Sequence, residues 1–144
     1  MGMDSVVFTT DCFTNGLSNE ALNHFLLALF SIDKDYLRAF PQTPRLYDAG
    51  VCYKAEPLGQ ERWCDIPNVI KRRQGDCEDL ACWRAAEIVA GGGVARPIFK
   101  LRVFGQFRVY HILVQHGDGL IEDPSYVLGM SPAFNLQSPA QWRE

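Results

Sequence analysis

Three residues of this chain have the side chains that nucleophilic acyl chemistry needs, in an order that a small fold can bring together: Cys77, His111 and Asp123. Cys77 lies in QGDCEDLACW, residues 74–83, where Gly75 and Asp76 lead into a strongly helical run. A cysteine in the first turn of a helix sits at the positive end of the macrodipole, so the position is expected to lower its thiol pKa. Gly75 permits a tight approach to the helix, Asp76 is a good N-cap, and Asp79 stands where the acid of a capping box stands. Without the partners, the same stretch is an ordinary helix start with a structural thiol.

His111 is the one histidine of three that is set inside an apolar run, RVYHILVQ. The turn sequence HGDG follows it, and then LIEDP. If Gly117, Asp118 and Gly119 form a three-residue hairpin loop with Gly119 left-handed, His116 pairs with Leu120 and His111 lies opposite Ser125. Asp123 is then the diagonal neighbour of His111 on the same face, about 7 to 8 Å away between backbones and within side-chain reach. A loop of two or four residues shifts the pairing by one and sends Asp123 to the far face. The plain alternative is a satisfied core histidine and an aspartate that makes a turn before Pro124.

Together the three residues define a Cys-His-Asp triad. His111 would take the thiol proton of Cys77 and return it to the leaving amine, while Asp123 holds the imidazole in the right tautomer. The Cys77 backbone N–H is the natural first oxyanion donor. Trp63, Tyr53 and Gln74 are candidates for the second, with Trp63 slightly ahead.

The elements that must position these groups are legible in part. Leu22, Phe25, Leu26 and Leu29 recur at helical spacing and predict a helix over 19–30 after a cap at Ser18, with His24 on its flank. A second helical piece, 33–40, should end before Pro41. Residues 41–59 read as a surface loop that lines a groove, with Tyr47 and Tyr53 as its polar-tipped aromatics. Asp65 caps a short helix with Pro67 in its first turn, and Lys71, Arg72 and Arg73 complement its dipole end rather than forming a nucleic-acid patch. The Cys77 helix carries alanines that suit close packing on a sheet, and it should stop at Gly91, Gly92 and Gly93. Strands are expected over 94–103, 108–115 and 120–123. Residues 1–17 read as an irregular arm or short strand. In the final stretch, which has no clear period, Trp142 could clamp a tail.

The bulk composition excludes several classes. Its 144 residues, 47% apolar and 22% charged, fit one globular domain: a helical part over 1–44, a catalytic core over 45–128 and a tail over 129–144. The net charge of −3 argues against a protein that works on nucleic acid by neutralising phosphates. No run approaches the roughly 18 apolar residues of a membrane helix, and the start MGMDSVVFTTDCF has no signal-peptide pattern, so the expected setting is cytoplasmic. Five cysteines without C-x-x-C spacing disfavour a disulfide framework and a zinc site. No cofactor is expected.

The stretch WCDIPNVIKRRQGDCEDLA, followed by the strand His and the next-strand Asp, resembles the transglutaminase-like cysteine peptidase superfamily. The likeness is closest to bacterial transglutaminase-like cysteine proteinases, in which a Trp and a Pro precede a motif like GDCEDYA. It covers roughly residues 45–128. The resemblance implies an α+β, papain/transglutaminase-like fold in which the Cys-bearing helix packs on a small antiparallel sheet. It further implies Cys77 as nucleophile, His111 as base, Asp123 as orienting acid, and a protein or peptide substrate. In some periplasmic relatives the flanking acids bind calcium, which would fall on Asp76 and Glu78. The chain is shorter than those relatives and lacks their secretion signal; compact domains of this look also occur in phage genomes. The expected activity is that of a cysteine peptidase or isopeptidase. Acyl transfer or deamidation at glutamine uses the same triad, and a non-catalytic binding or assembly module would use the fold alone.

Overall fold

The computed structural model describes residues 7–9, 19–56, 62–104 and 107–131. Its first helix, α1 (Asn19–Ala39), buries Leu22, Leu26, Leu29, Phe30, Asp33 and Leu37, a single stripe at helical spacing. The helix is continuous where two pieces are expected. Asp33 does not begin a second helix; it lies inside the stripe, fully buried, and its Oδ1 accepts the Ile66 N–H at 3.0 Å. A side chain spent on a distant backbone donor cannot cap its own helix, so α1 runs on until Pro41 approaches. The Ser18 cap, the arm apart from residues 7–9, and the tail beyond residue 131, with Trp142, lie outside the described residues.

A 3-10 turn (Leu46–Asp48) and the short strand β2 (Cys52–Tyr53) give the described part of the expected loop, 41–56, more order than a plain loop. β1 (Val7–Thr9) pairs antiparallel with β3 (Arg62–Cys64), and β2 runs parallel to β4 (Gln74–Gly75). Between β3 and β4 lies α2 (Ile66–Arg72), capped by Asp65 and closed by Arg73 in the left-handed conformation at φ 58°. Helix α3 (Cys77–Ala90) follows. Its chain end is governed by Gly92, which holds the positive φ of 94°; Gly91 stays right-handed.

Three antiparallel strands complete the fold: β5 (Ala95–Phe104), β6 (Phe107–His116) and β7 (Ile121–Glu122), in the order β5-β6-β7. Ala95, Ile112 and Val114 lie on the face of this sheet that joins the core shared with α1 and α3. Ala81, Ala85 and Ala86 of α3 are fully buried, and their small side chains let the helix lie close to α1 and to β5 and β6. The result is a mixed α/β arrangement of helices packed on small sheets. After β7 the chain forms one further turn of helix, α4 (Pro124–Val127), for which the sequence carries no periodic signal. No described helix is long and apolar enough to cross a membrane.

Leu26 is completely enclosed in the layer between α1 and α3. Leu26→Ala should therefore cost about 2–5 kcal/mol, read as a fall in the urea midpoint at unchanged slope.

Candidate active site

Cys77 is the first residue of α3, and the local sequence dictates how it gets there. A Cβ on Gly75 would meet the Asp79 Cβ and Leu80 Cδ2 at 3.1 Å each, so glycine lets the chain pass over the first helical turn without pushing these neighbours aside. Asp76 then caps the helix, and Asp79 completes the capping box by accepting the Asp76 N–H at 3.0 Å. The same Asp79 carboxylate accepts the Cys64 N–H at 2.7 Å, which ties β3 to the helix start. Gly75 also accepts the Lys54 N–H at 2.9 Å, and this bond sets Tyr53 alongside.

The hairpin after β6 has the expected register. Gly119 is left-handed at φ 91°, and the His116 N–H donates to the Leu120 carbonyl at 2.8 Å. Gln115 pairs with Ile121 and Val114 with Glu122. The strand ends one residue earlier than expected, because Asp123 becomes the N-cap of α4 through an Oδ1 bond from the Tyr126 N–H at 3.3 Å. Its other oxygen, Oδ2, lies 2.9 Å from His111 Nε2, with both residues buried. A carboxylate only accepts, so Nε2 is the donor and the neutral ring carries its lone pair on Nδ1.

Ladder alternation explains where the thiol sits. The N–H groups of Val114 and His116 point towards β7, so that of Ile112 points the same way, but β7 has ended by then. The Ile112 N–H is hydrogen-bonded to Cys77. The Cys77 Sγ also lies 3.5 Å from Glu78 Oε2. The structure thus forms the histidine–carboxylate pair and sets the sulfur against the strand one residue from His111. The thiol contacts run to Glu78 and the Ile112 amide, and no closed triad is formed among the described residues.

The electrostatics correct the expectation of a lowered thiol pKa. Burial pushes the Cys77 thiol well above its ordinary value, and the charges of Asp76 and Glu78 push it further in the same direction. These outweigh the helix dipole, whose first N–H is in any case taken by Asp76 Oδ1 at 2.7 Å from Cys77 N. Glu78, where the resemblance would put a calcium ligand, is almost fully buried. Asp76, Cys77 and Glu78 offer ligand atoms within 4.8 Å of one another. They do not fit calcium, which takes six to eight oxygens, because this set has two carboxylates and a soft sulfur. Both Asp76 oxygens already accept backbone N–H groups, from Cys77 at 2.7 Å and Glu56 at 3.0 Å.

Of the remaining candidates, Trp63 is wholly enclosed, its ring tilted against Phe25 at 5.6 Å between centroids. Gln74 is half-buried on β4. Tyr53 is half-buried, and its phenol pKa is raised first by burial and then by the charges of Asp76, Cys77, Glu78 and Asp123. Its register partner Gly75 stands two residues before Cys77, so β2 runs beside the site. His24 is exposed on α1.

Sequence reasoning missed a second polar cluster, on the other sheet face. Glu122 receives Arg84 Nε at 2.6 Å and the Tyr47 hydroxyl, and its Oε1 lies 2.8 Å from His116 Nε2. Arg84 also pairs with Glu87 at 2.9 Å. The available signal was parity: if Asp123 faces His111, Glu122 must face the helix, where a carboxylate needs donors. Comparison with protein-family models, curated proteins and solved structures gives no match.

Burial works to raise the Glu122 pKa, but the bonds from Arg84, Tyr47 and His116 outweigh it and leave the carboxyl below its ordinary value. Its folded-state pKa is depressed, so its contribution to stability is present above the unfolded value of about 4.3 and is lost as pH falls through the folded value. The difference in unfolding free energy between wild type and Glu122→Gln should hold steady above about pH 5 and shrink below about pH 4, measured by urea denaturation across that range.

Proposed function

We propose that this chain is a thiol hydrolase of the transglutaminase-like cysteine peptidase kind, on a papain-like α+β fold, cutting a peptide or isopeptide bond through Cys77, His111 and Asp123. The observation that carries the reading is the buried His111 Nε2–Asp123 Oδ2 pair at 2.9 Å, on the strand whose next amide is bonded to Cys77. A buried histidine oriented by a carboxylate, with its lone pair on the opposite ring nitrogen, is equipped to act as a general base.

The raised thiol pKa makes this a base-assisted attack rather than a reaction of a preformed thiolate. Nδ1 of His111 takes the thiol proton as Sγ bonds to the carbonyl carbon. The imidazolium then gives that proton to the amine as the C–N bond breaks, leaving a thioester. Water, deprotonated by the same ring, attacks the thioester; the proton returns to the sulfur, and the acid departs. The Cys77 N–H must be shared with or released by Asp76 when the oxyanion forms. Tyr53 is the better second donor, because β2 sets it against Gly75, two residues before Cys77, and its hydroxyl can donate. Trp63 serves as core packing in this reading.

Incubation with p-nitrophenyl acetate and mass analysis of the chain tests the reading. An acetyl adduct should form on Cys77, be absent in Cys77→Ala, and form about 100-fold more slowly or worse in His111→Ala. Its rate should not track ionisation of the thiol near the ordinary value of about 8.5, as the rate of a preformed thiolate would. An adduct that forms equally fast without His111, or no adduct at Cys77, would sink the enzyme reading in favour of a binding or assembly module.

A further inference from the structure

The orienting acid of the proposed triad stands at the end of a strand only two residues long. β7 is held to β6 at Gln115 and Val114, and Asp123 follows directly before a single turn of helix. So short a ladder fixes a backbone weakly, and a hairpin of this size has little stability of its own. Something beyond the ladder must determine where Asp123 points.

The neighbouring side chain does so. Glu122 lies on the opposite face of the strand from Asp123, and there its carboxylate meets donors from three elements: Arg84 of α3, Tyr47 of the 3-10 turn and His116 of β6. Each partner is itself held. The Arg84 guanidinium carbon sits 5.1 Å from the Tyr47 ring centroid and its Nη1 is 2.9 Å from Glu87 Oε1. The second Glu87 oxygen accepts the Leu46 N–H at 2.9 Å, closing the cluster back on the 3-10 turn. Arg84 is seven residues beyond Cys77 on α3, two turns along the same face and about 10 Å away. The helix that carries the thiol is therefore the helix that grips the strand carrying the acid.

We propose that Glu122 is a positioning residue: it fastens β7 to α3 and, through the next peptide, fixes the direction of the Asp123 side chain and hence of the His111 ring. This inference rests on the reading of His111 and Asp123 as base and orienting acid. It predicts that loss of the Glu122 charge acts on chemistry through Asp123 without touching substrate.

The test is Glu122→Gln in the full chain, read by proton NMR of the His111 ring N–H and by acetylation of Cys77 with p-nitrophenyl acetate. In wild type the ring N–H held by Asp123 should give a downfield signal that His111→Gln removes. In Glu122→Gln that signal should shift or broaden, and kcat for acetylation should fall by about tenfold or more, with KM changed less than about twofold. Tyr47→Phe, which removes one donor, should move both readings the same way by a smaller factor, and it decides the matter if Glu122→Gln does not fold. A variant that merely melts earlier, with the ring signal and kcat as in wild type, overturns the proposal. A wild type that shows the His111 signal but no acetylation of Cys77 overturns the catalytic reading instead, and the ring signal of Glu122→Gln alone then decides whether Glu122 positions Asp123.

Discussion

The arrangement depends on one backbone constraint, the odd-length turn at residues 117–119. With Gly119 left-handed, His116 is set against Leu120, and every side chain of β7 takes its face from that pairing. Asp123 meets His111 because 123 has the right parity, and Glu122 meets Arg84 because 122 has the other. A slip of one residue would exchange them, setting a buried histidine opposite a glutamate and aiming an aspartate at a helix. Few single features of a small fold place so much chemistry. At the far end of β7, Asp123 turns the chain into α4, and the Ile112 amide left without a β7 partner donates to Cys77.

This explains which parts were legible in the sequence. The Cys77 helix, its cap and capping box, the Asp65-capped helix and the β6–β7 register were all readable, because each is fixed by residues within a few positions of one another. The break expected near Asp33 was not real, since Asp33 is used by the Ile66 amide thirty-three residues away. The sign of the thiol shift was misread for the same reason. Proximity in sequence shows the helix dipole, but burial of Glu78 and of the thiol is a tertiary fact. The single turn of α4 has too few residues to show a period, although its Asp-Pro start is visible in retrospect.

The acids of the site pull stability in opposing directions. Glu122 is held below its ordinary pKa by donors, so it favours the fold above the carboxyl range. Asp33 and Asp79 are raised well above theirs by burial, against the backbone bonds they accept. For a raised acid the favourable contribution is present at low pH and is lost as pH rises through the folded-state value. Asp33 Oδ2 has no hydrogen-bond partner among the described residues, which sharpens the conflict there. The core around them, Leu22, Leu26, Ile66 and Leu80 among others, has to outweigh carboxyl groups that would be better solvated outside.

Against that cost stands what those carboxyls hold. Asp79 accepts N–H groups from both Asp76 and Cys64, and Asp33 accepts that of Ile66, so two buried acids clamp the backbone on either side of Asp65 to α3 and α1. An apolar residue at either place would pack well and leave enclosed amides without acceptors, at a cost of roughly 1–3 kcal/mol each. The same logic reaches the sulfur. Asp76 satisfies the first N–H of the helix, and a thiol kept neutral by burial and then by its acidic neighbours is a poor nucleophile until a base removes its proton. In the proposed reaction a nucleophile so guarded would depend on an accurately aimed histidine, which returns the burden to the short strand and to the carboxylate that anchors it.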